Sequence, residues 1–135
     1  MMKLDDLIHV SGLPGLYKIG ASRSNGIIIE DIDNGKSRFV SMRKHQFTPL
    51  GTVAIYTMTD TIELIKVFDR MSAAEMDTPL PDVKGNAKEV FGYFEKVLPE
   101  YDRDQVLVSD VKKIVKWYRF LKDRNIYPFA TSEEE

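Results

Sequence analysis

The stretch Asn25-Gly26-Ile27-Ile28-Ile29-Glu30-Asp31-Ile32-Asp33-Asn34-Gly35-Lys36-Ser37-Arg38-Phe39-Val40 decides the fold class of this chain. It carries two Asn-Gly pairs, and Asn-Gly favours the mirror-image turns whose twist suits antiparallel strands. Ile27, Ile28 and Ile29 lie between them. These side chains are β-branched and pack well on a pleated surface. Arg38-Phe39-Val40 starts the next strand. Upstream, Leu16 to Gly20 reads as a short strand, with Ser22-Arg23-Ser24 leading into the first turn. Three short strands joined by tight turns make an antiparallel meander.

Toward the start of the chain, Ser11-Gly12-Leu13-Pro14-Gly15 is a break that calls for unusual backbone angles. Lys3 to Val10 reads as a short helix or turn leading into the first strand. In the other direction, Met42 to Leu50 is less regular, and Pro49 and Gly51 punctuate it. Val53 to Thr57 reads as a fourth strand. Residues 1–58 therefore predict a β module, either a small SH3-like antiparallel barrel or a plain curled meander. Curling reduces the open edges that so few strands leave.

The second half has helical periodicity. Asp60-Thr61-Ile62-Glu63 has the spacing of a reciprocal helix cap. Ile62, Leu64, Ile65, Val67 and Phe68 then predict a short helix, within 59–71, that covers one face of the sheet. Residues 72–85 hold Pro79, Pro81 and Gly85 and predict a linker. Asn86-Ala87-Lys88-Glu89 repeats the cap pattern. Ala87, Val90, Phe91, Phe94, Val97 and Leu98 follow on one helical stripe, which Pro99 ends. Ser109 is the expected N-cap of the last helix, with Val111, Ile114, Val115, Tyr118 and Leu121 on its buried face. Asn125 and Pro128 lie beyond its end. Residues 86–130 predict a helical hairpin and 131–135 a flexible acidic tail, so the fold class is α+β.

The chain has 135 residues, enough for one domain or two small ones, and is 43% hydrophobic and 30% charged. Its formal net charge is −2. With no cysteine, disulfide scaffolds, thiolate metal sites and cysteine nucleophiles are excluded. The opening residues lack the basic and then apolar pattern of a secretion signal, and no apolar run approaches membrane length. A cytoplasmic protein without a membrane span is the expectation.

Catalytic constellations are missing. His9 and His45 stand in separate segments without a carboxylate at ligand spacing, so no metal site is expected. Glu100-Tyr101-Asp102-Arg103-Asp104 concentrates acids, yet lacks the central glycine and final glutamate of a calcium loop. Local capping explains Asp102 and Asp104 better. Ser109 precedes Lys112 by three positions, as in some acylating enzymes, but stands where a helix needs a cap. Gly12-Leu13-Pro14-Gly15 lacks the lysine-serine ending of a phosphate loop.

Binding features are more evident. From Asp110 to Arg124 there are six basic and two acidic side chains. Lys112, Lys116 and Arg119 fall on one helical face, an arrangement that can grip phosphates and that also fits an ordinary solvated face. Trp117 and Phe120, with Tyr93 on the preceding helix, lie off the centre of the apolar stripes; packing within the chain, against the β module or Tyr127-Pro128-Phe129, is the first expectation for them, and a protein interface is the other. Arg23, Lys36, Arg38 and Arg43 decorate the hairpins.

The runs Leu7 to Lys18, Asn25 to Glu30, Asp33 to Lys36, Val97 to Val106 and Ser109 to Tyr118 together resemble a group of short, uncharacterised proteins from Bacteroidota, classed as a domain of unknown function. The last run is the most distinctive. The resemblance implies a bacterial, intracellular protein of the same two-part build, and it brings no activity, cofactor or catalytic residue. The expectation is a non-enzymatic binding or adaptor protein, working through a protein partner or self-association. The alternative is a nucleic-acid-binding accessory protein using Lys112, Lys116 and Arg119. A third reading is a small enzyme assembled from scattered carboxylates and His45.

Overall fold

The computed structural model describes residues 3–127. The chain divides into two units, one of residues 1–53 with 122–135 and the other of residues 54–121. The expected tail at 131–135, Pro128 and Phe129 lie outside the described residues.

The first unit is built on β1 (Leu7–Val10), β2 (Tyr17–Arg23), β3 (Gly26–Asp31), β4 (Ser37–Ser41) and β5 (Phe47–Pro49). All neighbours are antiparallel, in the order β4-β3-β2-β1-β5. Ile8, Val10, Tyr17, Ile27, Ile29 and Val40 form its core, with Leu13, Ile19 and Phe47 packed against them. Alternation along each strand brings these side chains to one face. The register pairs Ile8 with Tyr17, Ile19 with Ile29, and Ile27 with Val40. Arg124 returns to this unit and pairs with Asp33 in the β3–β4 turn.

The strands do form an antiparallel meander, but the sheet is not closed into a barrel. Among the described residues, β4 pairs only with β3 and β5 only with β1. The last strand of the sheet is Phe47–Pro49, not Val53–Thr57. Pro49 has no amide hydrogen, and an edge strand is where a sheet tolerates it.

Both hairpin signals fall at turns, for different reasons. Gly35 has φ of 73°, the left-handed region that glycine enters at little cost. The Asp31 carboxylate accepts from the amides of Asp33 and Asn34 at 2.8 and 3.1 Å, which holds that turn. At the first signal the turn residues are Ser24 and Asn25, and Gly26 is already in β3. Glycine is needed there for space. A Cβ on Gly26 would collide with the Val40 carbonyl oxygen and come within 2.6 Å of the Phe39 ring.

The second unit opens with β6 (Ala54–Tyr56) and β7 (Thr61–Glu63), an antiparallel pair, followed by α1 (Leu64–Ala74), α2 (Ala87–Val97) and α3 (Val108–Asp123), which runs to its end and beyond. The expected cap at Asp60 to Glu63 is instead a hairpin. The Thr57 amide donates to the Asp60 carbonyl at 2.8 Å, and the Thr57 hydroxyl accepts from the Asp60 amide at 3.0 Å. Asn86 does cap α2, its side chain accepting from the Glu89 amide at 2.9 Å. Ser109 does not cap α3. That helix starts one residue earlier, and the Asp110 carboxylate accepts from the Leu107 amide at 3.0 Å.

Leu64, Val67, Phe68 and Met71 of α1 are buried, as are Val90, Tyr93, Phe94 and Val97 of α2. The Phe68 and Tyr118 rings meet at 5.7 Å, and the Phe94 and Tyr101 rings at 5.2 Å. All five residues expected on the buried face of α3 are buried. Residues 72–85 are tied to α3, since Tyr118 donates to Glu75 and Arg119 to the Pro81 carbonyl.

Candidate binding surface

Edge strand β4 is the strongest candidate. The Asp31 amide donates to the Lys36 carbonyl at 2.8 Å, and the Met42 amide to the Asn25 carbonyl at 3.0 Å. Both pairs continue the register that sets Ile28 opposite Phe39. Bonded and non-bonded pairs alternate in an antiparallel ladder. Arg38 and Val40 therefore direct their backbone groups toward β3, while Ser37, Phe39 and Ser41 direct theirs outward. The Ser41 carbonyl is taken by the amides of Lys44 and His45. The remaining outward groups have no partner among the described residues.

The side chains along this edge are cationic and aromatic. Phe39 is 46% exposed and shares a sheet face with Ile28. Arg38 points to the other face, beside Val40 in the pleat. Arg23, Lys36, Arg38, Arg43 and Lys44 are exposed and carry no ion pair among the described residues. Two of the three acids near the turn are engaged, while Glu30, opposite Ser37, keeps its carboxylate beside the turn. Arg124 hydrogen-bonds Asp33 and lowers its pKa, and Asp31 holds the turn amides. The loop after β4 is anchored. His45 Nδ1 lies 2.7 Å from the Ser11 carbonyl, and that bond needs the proton on Nδ1. The Ser11 hydroxyl accepts from the Gln46 amide at 2.7 Å.

A signal for this surface was present in the sequence. From Asn34 to Val53 there are four basic side chains and no acid. Hairpin cations were noted one by one, whereas the edge follows from the pairing order.

The aromatic and basic candidates on the helices lie in the second unit. Trp117 and Tyr93 are 7% and 6% exposed, so their bulk is enclosed by the chain itself. Phe120 is half-buried. On α3, Lys116 is exposed and Lys112 half-buried, both without an ion pair among the described residues. Arg119 is partly buried and donates to the Pro81 carbonyl at 2.8 Å.

A buried polar group lies nearby. The Tyr93 hydroxyl is buried with no hydrogen-bond partner among the described residues. Burial raises its pKa, with Tyr118 and Glu75 adding to the effect. The Tyr118 hydroxyl donates to Glu75 Oε1 at 2.7 Å, and burial first, then this bond, push its pKa up to about 12. Among the described residues no group of three or more histidines and acids is placed to hold a metal ion. No helix there is long and apolar enough to cross a membrane. In the acidic segment, Asp102 Oδ1 accepts from the Asp104 amide and Oδ2 from the Gln105 side chain, both at 2.9 Å. Arg103 lies over the Tyr101 ring at 4.5 Å.

Two family models match this chain. One, described as Domain of unknown function (DUF6852), covers residues 53–121, and another, described as Domain of unknown function (DUF5606), covers residues 4–50. The two stretches correspond closely to the two structural units. A solution NMR structure of a protein from Bacteroides vulgatus is 30% identical, covers 94% of this chain and 91% of its own, and has a TM-score of 0.76. No curated protein matches the chain.

Proposed function

We propose, for a chain that belongs to the family described as a domain of unknown function (DUF6852), a non-enzymatic binding module that takes a protein partner on the β4 edge. One observation carries the reading: an exposed strand edge with outward backbone groups lies beside an exposed phenylalanine and unpaired cations. Such an edge can template pairing with another chain, and cations along it disfavour a like-charged strand while leaving an acidic one acceptable. The wider reading is a Bacteroidota family, which the Bacteroides vulgatus relative supports, and a cytoplasmic location is part of the same proposal. An SH3-like build for the β module, open rather than closed, is favoured by the pairing of β5 with β1 around the meander.

The test is affinity capture from cytosol with three baits: the natural chain, Phe39→Asp, and a Lys112→Ala/Lys116→Ala/Arg119→Ala variant. A protein held by the first and third but lost from the second, with nuclease present, supports the reading. Retention by all three overturns it. The nucleic-acid reading draws on Lys112 and Lys116 lacking ion pairs among the described residues. It predicts nuclease-sensitive capture lost only from the triple variant.

A further inference from the structure

The β4 edge has a specific chemistry, and we infer that its occupant is an extended segment with alternating acidic and apolar residues, added as a sixth strand beside β4. This inference rests on the binding-module reading above and specifies its partner. Strand addition takes affinity from main-chain hydrogen bonds and specificity from alternate side chains. Ser37 and Phe39 each offer an outward amide and carbonyl, and Ser41 an outward amide. An incoming strand alternates its own side chains between the two sheet faces. On one face they meet Phe39, which favours an apolar residue, with Ile28 and Glu30 of β3 behind the edge on that same face. On the other they meet Arg38, which favours a carboxylate, with Lys36, Arg43 and Lys44 flanking it along the chain.

Charge separates the possible occupants. A second copy of the same edge would set Arg38 among cations of like sign, and like charges across strands are unfavourable. Aromatic stacking of nucleic-acid bases would use the Phe39 face but leave the backbone groups unused. An acidic strand uses the backbone, the ring and the cations together.

The experiment is NMR titration of the full-length chain with two synthetic peptides of about ten residues, one alternating valine and glutamate, the other valine and lysine. The expected result is binding of the glutamate peptide about tenfold or more tighter than the lysine peptide at low salt, weakening as salt is added. The Ser37, Phe39 and Ser41 amides should shift and exchange more slowly with solvent. Ser37→Pro, which removes an outward amide and leaves the β3 bonds in place, should weaken binding by about tenfold. Equal binding of both peptides overturns the inference, as does perturbation confined to other residues. So does an oligonucleotide that displaces the glutamate peptide from these amides. If neither peptide binds while capture still depends on Phe39, strand addition alone fails. If capture ignores Phe39, the binding-module reading itself fails.

Discussion

The guanidinium of Arg124 holds the carboxylate of Asp33, 91 positions earlier in the chain, through hydrogen bonds of 2.9 and 3.1 Å. Both residues belong to the first unit. The bidentate geometry favours the ionised carboxylate. The Asp33 pKa is accordingly lowered, chiefly by the hydrogen bond, with burial opposing it and the Arg124 charge adding least. A lowered folded-state pKa stabilises the fold above the unfolded value, and that contribution fades as pH falls through the folded value. Arg124→Gln should return the Asp33 carboxyl to the ordinary range and bring acid unfolding to higher pH. Carboxyl-carbon NMR titration reads the first effect. An unchanged Asp33 titration would show that the pair is not formed in solution.

Gly26→Ala should destabilise the chain by about 1–3 kcal/mol, the usual cost of forcing atoms into occupied space. The obstacle is the Val40 carbonyl, which is backbone and cannot swing away, as well as the Phe39 ring. Chemical denaturation measures the loss. A matching loss of peptide binding is expected, because the ring is displaced from the edge. A fully stable Gly26→Ala would mean that β3 and β4 are spaced more widely here.

Tyr93→Phe and Tyr118→Phe should have opposite effects. Removing the unpartnered Tyr93 hydroxyl deletes a desolvated polar group, so stability should hold or rise, by up to about 1–3 kcal/mol. Removing the Tyr118 hydroxyl takes a hydrogen bond from Glu75, and a loss of about 1 kcal/mol is expected. Thermal melts of the two variants decide. A destabilised Tyr93→Phe would reveal a water or other partner on that hydroxyl.

Alkaline titration should divide the six tyrosines. Tyr118 ionises at about 12 and Tyr93 higher than an ordinary tyrosine, each held back chiefly by burial. The sign follows from the raised values: their neutral forms stabilise the fold fully below the unfolded pKa near 10, and the contribution is lost as pH rises through the folded one. The Tyr93 and Tyr118 tyrosinates, read as absorbance differences from the Tyr→Phe variants, should therefore appear late and coincide with unfolding. Ionisation of this pair at an ordinary tyrosine pH would contradict its burial.

Asn86→Ala should cost about 1 kcal/mol by leaving the Glu89 amide without its cap, while Ser109→Ala should be close to neutral. Thermal melts of the pair distinguish a true cap from a residue that only resembles one. Equal losses would place the start of α3 at Ser109 after all.

The hairpins were legible because their signals are local. Asn34-Gly35 marks a backbone angle that few residues accept, and Ile27 to Ile29 can hardly be anything but a strand. The start of α1 was not. Asp60-Thr61-Ile62-Glu63 satisfies the spacing of a helix cap, and only the closure of Thr57 on Asp60 makes those residues a turn and a short strand. Strand β5 was hidden by Pro49, whose usual meaning is interruption. The apolar stripe of α3 was read correctly but too narrowly, so Trp117 was put at its margin and proves buried. The candidate edge depends on strand order, a non-local property. The cations of β4 were visible in the sequence, but its place at the end of the strand order among the described residues was not.

The first unit takes its chain from both ends of the sequence, with the second unit lying between. During synthesis at about 5–20 residues per second, the middle unit is therefore the first to have all its residues outside the ribosome. The β module emerges earlier yet must wait for Arg124 and Tyr127 before its set is complete. A nascent chain carries the sheet, with its open edge, for the whole time the helices are being made. Like charges across strands are unfavourable, so the cations beside Phe39 disfavour pairing between two such sheets on neighbouring ribosomes.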